Sequence, residues 1–434
     1  MISEIRLEDF KSYGSATLSF SPLTLFIGAN ASGKSNALEA IRLLSSLAKG
    51  SRLDDIERDI NGAGSVFRGK AEGIFRHGTA KMALECIIYD RNNNWTLLSL
   101  GIGIVSQHLT LVSERLYNVD ANLPLYELKQ TANDYTDEVS VAYNNFKTGG
   151  NKPRIPCTDK QAIFYQLQTP ARFGYSDKKS RELIPEVTND LREALQKIVF
   201  LDPNPARMRG YAEISANVME EDARNLSAVL FQICNIDTAQ EKEDLLGFVR
   251  SLPEQDIARI DFIKTERNDV MVKLVETFGG KELAHDAASL SDGTLRVLAV
   301  AATLLTAERG SLVVIEELDN GVHPSRASML IDQIRGVSQK RGLKVLLTTH
   351  NPALLDALPD DALGDVLFCY RDPETGFSSI KKLHDLQRFP ELVARGPIGR
   401  LMTDRILESF VKDPTTAKER KEKALEWVEA LGGG

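Results

Sequence analysis

The chain has 434 residues, of which 42% are hydrophobic and 26% charged, and its formal net charge is −8. This composition is typical of a globular protein with roughly two to three domain-sized units, and the acidic balance argues against a protein that coats nucleic acid over its whole surface. The sequence lacks a long apolar run, a signal peptide and clustered cysteines, so we expect a cytoplasmic protein without membrane contact, disulfides or a zinc site.

The N-terminal part of the chain predicts a sheet around one helix. We expect a hairpin of short strands over residues 2–20, then a buried strand over 23–27 and an amphipathic helix from residue 34 to about 50. Three further strands, consistent with an antiparallel layer, are predicted at 80–89, 95–104 and 108–115.

Residues 116–182 alternate poorly and are rich in Asn, Pro, Lys and Gly, so they predict a long irregular connection. Helical periodicity returns in three segments, at 184–199, 222–235 and 239–251. A β-hairpin is expected at 269–290. From there to residue 350 helices and strands alternate, which favours a parallel sheet, and one tail helix is predicted at 416–431.

The most informative motif is the octapeptide from Gly28 to Ser35, which matches the phosphate-binding loop Gly-x-x-x-x-Gly-Lys-Ser/Thr between a strand and a helix. Backbone N–H groups at such a helix start bind phosphate. We expect Lys34 to reach the β- and γ-phosphates of ATP and the Ser35 hydroxyl to bind Mg²⁺. The alternative is a Gly/Ser turn with a solvated lysine. The residues predicted to bind nucleotide here are Gly28, Asn30, Ala31, Ser32, Gly33, Lys34, Ser35 and Asn36.

A second motif is the apolar strand at 311–315, which ends in Glu316 and Glu317. Two acids at the end of a buried strand suit phosphoryl transfer. Glu316 would hold Mg²⁺ directly or through water, and Glu317 would deprotonate the attacking water. The alternative is a strand that ends at a charged surface turn.

The next predicted strand, at 343–349, delivers His350 to its carboxyl end, where ligands bind in parallel α/β sheets. We predict that His350 senses the γ-phosphate, although a lone histidine is usually structural. His323, at the start of the intervening helix, is ambiguous. Before the acidic strand, Ser291, Asp292 and Gly293 form a turn that opens an apolar helix, and such a turn offers a hydroxyl and free N–H groups to an anion.

Taken in order, these motifs resemble the ABC-type ATPase head of the Rad50, SMC, RecF and OLD nuclease class over residues 1–110 and 260–355. The resemblance implies an α/β fold with a mixed sheet flanked by helices, an antiparallel β layer, a helical insertion and no long coiled coil. It divides the chain into the N-terminal half of the head (1–115), the insertion (116–258), the C-terminal half of the head (259–372) and a tail (373–434).

In that class the turn at 290–294 resembles the signature motif, which acts in trans on ATP held by a partner head, so the resemblance implies a homodimer that encloses two ATP molecules. It also places Lys11 and Ser12 near the nucleotide. Two departures are notable. Glu316 stands where the class usually has Asp, and the glutamine of the lobe loop has no clear match, with 75–78 in about the right place.

The stretches 316–324 and 348–352 also resemble compact ATPases of bacterial anti-phage systems such as Septu and PARIS, in which the ATPase scaffolds or restrains a separate nuclease. This implies an ATP-hydrolysing sensor or scaffold with a nuclease partner. The residues after His350 hold no compact Glu and Asp set, so we expect no nuclease in the chain itself.

Two alternatives stay open. One is a RecF-like DNA repair ATPase that clamps DNA, for which Lys178, Lys179, Arg181 and the segment 207–209 are candidate contacts, although such short clusters are usually solvated. The other is a nucleotide-binding structural module with little turnover, an alternative that the glutamate at position 316 leaves open.

Overall fold

The structure is a computed structural model. It describes residues 1–61, 68–89, 94–121, 123–130, 136–149, 151–235, 239–250, 257–318, 326–386 and 388–412. The predicted tail helix at 416–431 and His323 lie outside these residues.

The strands are β1 (Ile2–Phe10), β2 (Tyr13–Ser19), β3 (Leu23–Gly28), β4 (Lys81–Ile88), β5 (Trp95–Val105), β6 (His108–Asn118), β7 (Leu123–Gln130), β8 (Glu138–Tyr143), β9 (Arg154–Thr158), β10 (Val199–Leu201), β11 (Ala212–Glu213), β12 (Ile257–Lys264), β13 (Asp269–Phe278), β14 (Lys281–Asp286), β15 (Leu312–Ile315), β16 (Lys344–Thr349), β17 (Leu367–Arg371) and β18 (Ser378–Lys382). The helices are α1 (Lys34–Ala48), α2 (Leu53–Asn61), α3 (Ile163–Gln166), α4 (Lys178–Gln196), α5 (Pro205–Met208), α6 (Leu226–Asn235), α7 (Ala239–Arg250), α8 (Asp292–Thr306), α9 (Ala327–Arg341), α10 (Pro352–Asp356), α11 (Asp360–Leu363), α12 (Phe389–Ala394), α13 (Ile398–Thr403) and α14 (Ile406–Lys412).

One mixed sheet of fourteen strands runs through the described part of the molecule, in the order β10-β15-β16-β3-β17-β18-β2-β1-β4-β5-β6-β7-β8-β9. The strands from β10 to β17 in this order are parallel, whereas those from β2 to β9 are antiparallel. A second sheet has the order β11-β13-β12, with β14 also paired to β13. The predicted α/β class with a mixed sheet, flanking helices and an antiparallel part is confirmed.

The parallel strands are buried on both faces, which explains their continuous apolar sequences. In β15, Val314 packs in the core on the α1 side of the sheet. Its neighbours Val313 and Ile315 pack in a second core on the side of α8 and α9. Among the described residues the longest helix, α4, has 19 residues, so this part of the chain contains no coiled-coil arm. Nor does any helix in these ranges have the length and apolar character to cross a membrane.

The segment predicted as a long irregular connection differs from the expectation. Its residues form β7, β8 and β9, which extend the antiparallel part of the sheet beyond β6. These strands have five to eight residues and are separated by polar turns, so each shows too few alternations to stand out in sequence. Pro156 lies in β9, the edge strand, where a missing N–H is tolerated.

The predicted tail contributes a strand to the main sheet. Its residues 378–382 form β18, which pairs antiparallel with β17 and contacts β2, so this strand lies inside the main sheet. Helices α12 to α14 follow it. The predicted helices of the insertion are present with shifted ends, since α4 begins at Lys178 and α6 at Leu226.

A buried carboxyl group joins the antiparallel strands to α3. The side chain of Glu114 in β6 accepts hydrogen bonds from the Tyr126 hydroxyl at 2.7 Å and from the backbone N–H groups of Ile163 at 2.7 Å and Phe164 at 2.8 Å. Burial raises the pKa of Glu114 to about 7, and the three hydrogen bonds oppose this rise.

This shift predicts a pH dependence of stability. Between its ordinary pKa of 4.5 and the folded value of about 7, Glu114 keeps a proton that the unfolded chain releases, so the free energy of unfolding should fall as pH rises through this window. Glu114→Gln should flatten that dependence and, because an acceptor is lost, cost about 1–3 kcal/mol. Denaturant unfolding at several pH values measures both effects, with the exposed Glu138→Gln as control. An unchanged slope in Glu114→Gln would contradict the assignment.

Candidate functional site

The loop between β3 and α1 has a backbone that only glycine can adopt at two positions. Gly28 has φ 152° and Gly33 has φ 121°, both in the left-handed region. A Cβ atom at Gly28 would overlap the carbonyl oxygen of Cys369 in β17, and one at Gly33 would overlap Ser378 in β18. The two glycines of the motif are therefore required by close packing against neighbouring strands.

The loop carries donors suited to phosphate. The Lys34 ammonium donates to the carbonyl oxygens of Gly28 at 2.5 Å and Ala29 at 3.2 Å, so it lies over the loop. No acidic side chain occupies the first turn of α1, which leaves the positive end of that helix uncompensated. The Ser32 hydroxyl is buried and has no hydrogen-bond partner among the described residues. These features fit the phosphate groups of ATP, and Ser35 and Asn36 lie in the first turn of α1.

Residues far away in sequence support the loop from behind. The Tyr13 hydroxyl donates to the Gly33 carbonyl at 3.0 Å, and the Ser378 hydroxyl donates to the Ser32 carbonyl at 2.5 Å. Ser12 lies in the same network, since its hydroxyl accepts from Asn36 Nδ2 at 2.8 Å. Sequence reasoning found Ser12 but missed Tyr13, although it is the next residue, and it also missed Ser378, for which the sequence carries no motif.

Lys11, which is expected near the nucleotide, contacts groups of the protein. Its ammonium forms an ion pair with Glu39 of α1, and both side chains are buried. It also donates to the carbonyl oxygen of Arg68 at 3.0 Å. This lysine is therefore engaged inside the head, and its contact with nucleotide stays a prediction.

The register of three parallel strands brings the other predicted residues to one edge of the sheet. Ile315 of β15 pairs with Leu347 of β16, and Thr349 of β16 pairs with Ile27 of β3. His350 therefore follows the carboxyl end of the strand beside β3, and Glu316 and Glu317 follow that of the next strand in the sheet. This edge is where ligands bind in open α/β sheets.

The two glutamates have different environments. Glu316 is half-buried, and its Oε1 accepts from Arg42 Nη2 of α1 at 2.9 Å. Burial raises the pKa of Glu316, the nearby carboxylates of Asp202 and Glu221 raise it further, and Arg42 lowers it. Glu317 is exposed and has φ 47°, a strained conformation for this residue type.

Backbone contacts hold Glu317 in that conformation. Its N–H donates to Thr348 Oγ1 at 3.1 Å, and its carbonyl oxygen accepts from Arg296 Nη1 at 3.5 Å. Because the main chain is fixed on β16 and α8, the exposed carboxylate is presented at the strand edge. A water-activating group needs this combination of fixed backbone and solvent access.

The donor set is compatible with Mg²⁺. The Ser35 hydroxyl and the Glu316 carboxylate are oxygen ligands of the kind that this ion takes. Within the described ranges, no group of three or more His, Cys, Asp or Glu side chains could hold a metal ion. A site with few protein ligands is what Mg²⁺ uses when phosphate and water supply the remaining oxygens.

The turn before α8 is built as a helix cap. Ser291 is the N-cap residue, and its hydroxyl accepts from the Thr294 N–H at 3.1 Å. Arg209 Nη2 donates to the Leu290 carbonyl and to Asp292 Oδ1, each at 2.8 Å. Gly293 is buried at the first turn. Sequence reasoning considered Arg209 as a nucleic-acid contact, whereas the structure shows it holding this turn.

The predicted lobe loop lies against the N-terminal turn. Arg76 Nε pairs with Asp9 Oδ1 at 2.6 Å, and its guanidinium lies 4.7 Å from the ring centre of Phe377. The N–H of Arg76 also donates to the Asp9 carbonyl. A Mg²⁺-sensing role for this loop stays unassigned.

The support behind the loop predicts a role for β18 in nucleotide binding. Ser378→Ala removes the hydroxyl that donates to the Ser32 carbonyl, so the loop should lose order and ATP affinity should fall about 2- to 10-fold, which corresponds to about 0.5–1.5 kcal/mol. Titration with a fluorescent ATP analogue measures this change. Ser379→Ala, at the next position, is the matched control. Equal affinities for the two variants would show that β18 does not support the loop.

Comparisons with known proteins cover both halves of this site. Residues 1–94 match a family model described as "AAA ATPase domain". Residues 172–356 match one described as "AAA domain, putative AbiEii toxin, Type IV TA system". A search of curated proteins found no match to the chain.

Several solved structures are similar at low identity. An SMC head bound to the C-winged helix domain of ScpA has a TM-score of 0.44 at 12% identity, over 88% of this chain and 97% of that one. The SMC head domain of Thermotoga maritima gives 0.40 at 13% over 88% and 98%. The Pyrococcus furiosus SMC head with an extended coiled coil, bound to the C-terminal domain of ScpA, gives 0.43 at 13% over 91% and 99%. At these TM-scores the likeness carries no argument.

The family models match the segments that hold the site. The first contains the phosphate loop, and the second contains the Ser291 turn, both glutamates and His350. The chain is therefore similar to ATPase domains over the two segments that hold the predicted site residues.

Proposed function

We propose that this protein is a dimeric ABC-type ATPase that binds and hydrolyses ATP and, as a sensor or scaffold, controls a separate nuclease effector in bacterial anti-phage defence. The observation that supports the ATPase part is the alignment of β3, β16 and β15, which places the phosphate loop, His350 and the two glutamates on one sheet edge. An acid pair, a histidine and a phosphate cradle in this arrangement suit phosphoryl transfer to water.

Each residue then has a chemical role. The N–H groups of the loop and the Lys34 ammonium bind the phosphates. Mg²⁺ bound with ATP would neutralise charge on the phosphate oxygens, and Ser35 and Glu316 are the residues that would hold it. Glu317 accepts the proton of the attacking water. His350, which follows β16 beside the loop, hydrogen-bonds the γ-phosphate and so distinguishes ATP from ADP.

Dimerisation follows from the Ser291 turn. Its hydroxyl and the free N–H groups at the start of α8 bind the γ-phosphate of ATP on the partner head. Nucleotide held between two heads adds interface only in the closed state, so ATP stabilises closure by mass action. Hydrolysis removes this contact, and the heads reopen.

Glu317→Gln should keep ATP affinity but slow hydrolysis by about 10²- to 10⁴-fold, because the proton acceptor is lost while the fixed main chain is retained. The variant should therefore accumulate as a closed dimer with ATP. Phosphate release and sedimentation velocity measure the two effects. Lys34→Ala is the contrasting variant, which should bind no ATP and stay monomeric under the same conditions. Normal turnover in Glu317→Gln would assign the base to another residue.

The proposed effector is a separate nuclease. The family model matched by residues 172–356 carries the words "putative AbiEii toxin", which is compatible with a defence role. Tagged Glu317→Gln protein, captured from its native host in ATP, should bring down a nuclease-like protein in stoichiometric amount, and Lys34→Ala should not. Recovery of the ATPase alone would contradict the scaffold role.

A second candidate function is DNA binding, because one surface concentrates positive charge. We name it the β8 groove, and its lining includes Phe146 and the basic residues Lys129, Lys147, Lys152 and Arg154, of which Lys129 is paired with the acidic lining residue Glu127. Lys179 at the start of α4 lies 4.4 Å from the ring centre of Phe146. Tyr175, which precedes α4 in the chain, is 87% exposed, and Arg181 lies 5.2 Å from its ring centre.

Such a surface suits a nucleic-acid backbone with stacked bases. Lys147 is neutralised by Asp177 at 2.7 Å, so Arg154 and Lys179 are the better probes. If the groove binds DNA, the double variant Arg154→Glu and Lys179→Glu should weaken binding of a labelled oligonucleotide and reduce the salt slope by about one unit per lost phosphate contact. The double variant Lys242→Glu and Lys281→Glu, at exposed positions on α7 and β14, controls for the same change in net charge. An unchanged salt slope would argue against DNA binding at the β8 groove.

A further inference from the structure

One stretch of chain is linked to both Glu316, the acid at the end of β15, and the turn at 290–294, which we call the Ser291 turn. We call this stretch, residues 202–222, the connector. It leaves the sheet at the end of β10, includes α5 and β11, and ends before α6. Neither of its two contacts with the site was expected from the sequence.

The first contact is made through Arg42 of α1. Its Nη2 atom lies 2.9 Å from Glu316 Oε1 and 2.5 Å from Glu221 Oε1 of the connector, and the Arg42 side chain is only 13% exposed. The guanidinium also lies 4.2 Å from the ring centre of Phe200 in β10. A single cation therefore joins α1, the acid at the end of β15 and the end of the connector.

The second contact is made through Arg209 in the middle of the connector. Its Nη2 atom donates to the Leu290 carbonyl and to Asp292 Oδ1, while Nη1 donates to the Pro205 carbonyl at 3.0 Å. Arg209 is therefore anchored to α5 on one side and to the Ser291 turn on the other. The orientation of that turn depends on where the connector lies.

The interior of the connector is tied together between these contacts. The N–H of Asp202 donates to the Glu221 carbonyl at 2.8 Å, and Arg207 pairs with Asp222 at 2.7 Å, so its two ends are joined. Met208 and Met219 are buried in the core next to α8. These ties give a displacement at the Glu221 end a direct route to Arg209.

We propose that the connector couples Glu316 of one ATP site to the Ser291 turn that serves the partner's ATP, with Arg42 and Arg209 as its positioning residues. The inference rests on the proposed ATPase function and names its internal regulation. When the carboxylate of Glu316 changes partner, Arg42 and Glu221 have to rearrange, and the connector passes this change to Arg209. The two ATP sites of a dimer are then not independent.

A double-mutant cycle on head closure tests this coupling. In a Glu317→Gln background at saturating ATP, sedimentation gives the dimer dissociation constant of Arg42→Gln, Arg209→Gln and the double variant. Each single change should raise the dimer dissociation constant by about 2- to 30-fold, the range expected for coupled networks. The dissociation constant of the double variant should not exceed that of the single variant with the larger defect. Glu221→Gln, on a half-exposed side chain, should reproduce the effect of Arg42→Gln.

Controls separate positioning from general destabilisation. Arg335→Gln removes an ion pair with Asp361 on an exposed surface and should leave closure unchanged. Ser291→Arg blocks closure directly and sets the lower limit. Melting temperatures of the variants without ATP should not correlate with their closure defects. If the two arginines acted only on stability, the two quantities would correlate.

The outcomes are distinct. The coupling would be overturned if both Arg42→Gln and Glu221→Gln closed as the parent protein does, or if the effects of the two single changes multiplied in the double variant. Either result would leave the ATPase function intact. A parent protein that binds ATP but does not close would overturn the proposed dimeric function, and the coupling with it.

Discussion

The site depends on the register of three parallel strands. Because Thr349 pairs with Ile27 and Ile315 pairs with Leu347, the chain leaves β3, β16 and β15 at the same edge of the sheet. Each strand is apolar on both faces, so a shift by one residue would bury Glu316 or His350 in one of the two cores. The hydrophobic cores therefore fix the relative positions of the polar groups more strictly than any contact between those groups.

The two sides of this edge are held by different kinds of interaction. The phosphate loop is fixed by excluded volume, since Gly28 and Gly33 pack against backbone and side-chain atoms of β17 and β18, and Tyr13 and Ser378 hold its carbonyl oxygens. The acidic side is fixed by charge. Arg42 is shared between Glu316 and Glu221, with Asp202 nearby, and an ion pair can exchange partners at low cost where steric packing cannot.

Much of this arrangement could be predicted from the sequence. The phosphate loop, the acid pair and His350 follow apolar strands at fixed spacing, so motif and periodicity together indicate a common sheet edge. The supporting residues could not be found in this way. Ser378 reaches the loop from 346 positions away, and Arg42 reads as a solvated charge on an amphipathic helix although its partner Glu316 lies 274 positions away. Strands β7 to β9 were missed because their length leaves little periodic signal.

The phosphate loop is held by steric packing and the acidic side by ion pairs, and this contrast bears on which of the two responds to nucleotide. A loop that is held by packed backbone presents the same cradle before and after binding, so its reorganisation contributes little to the binding free energy. The glutamate at position 316 has a longer side chain than aspartate and reaches Arg42, which gives the resting head an internal cation at the acid. Any ligand that draws the Glu316 carboxylate away leaves Arg42 paired with Glu221. Glu221 lies in the connector, as does Arg209, which holds Asp292 of the Ser291 turn. The glutamate at position 316 therefore favours the proposed coupling, in which the acidic side moves and the phosphate loop stays in place.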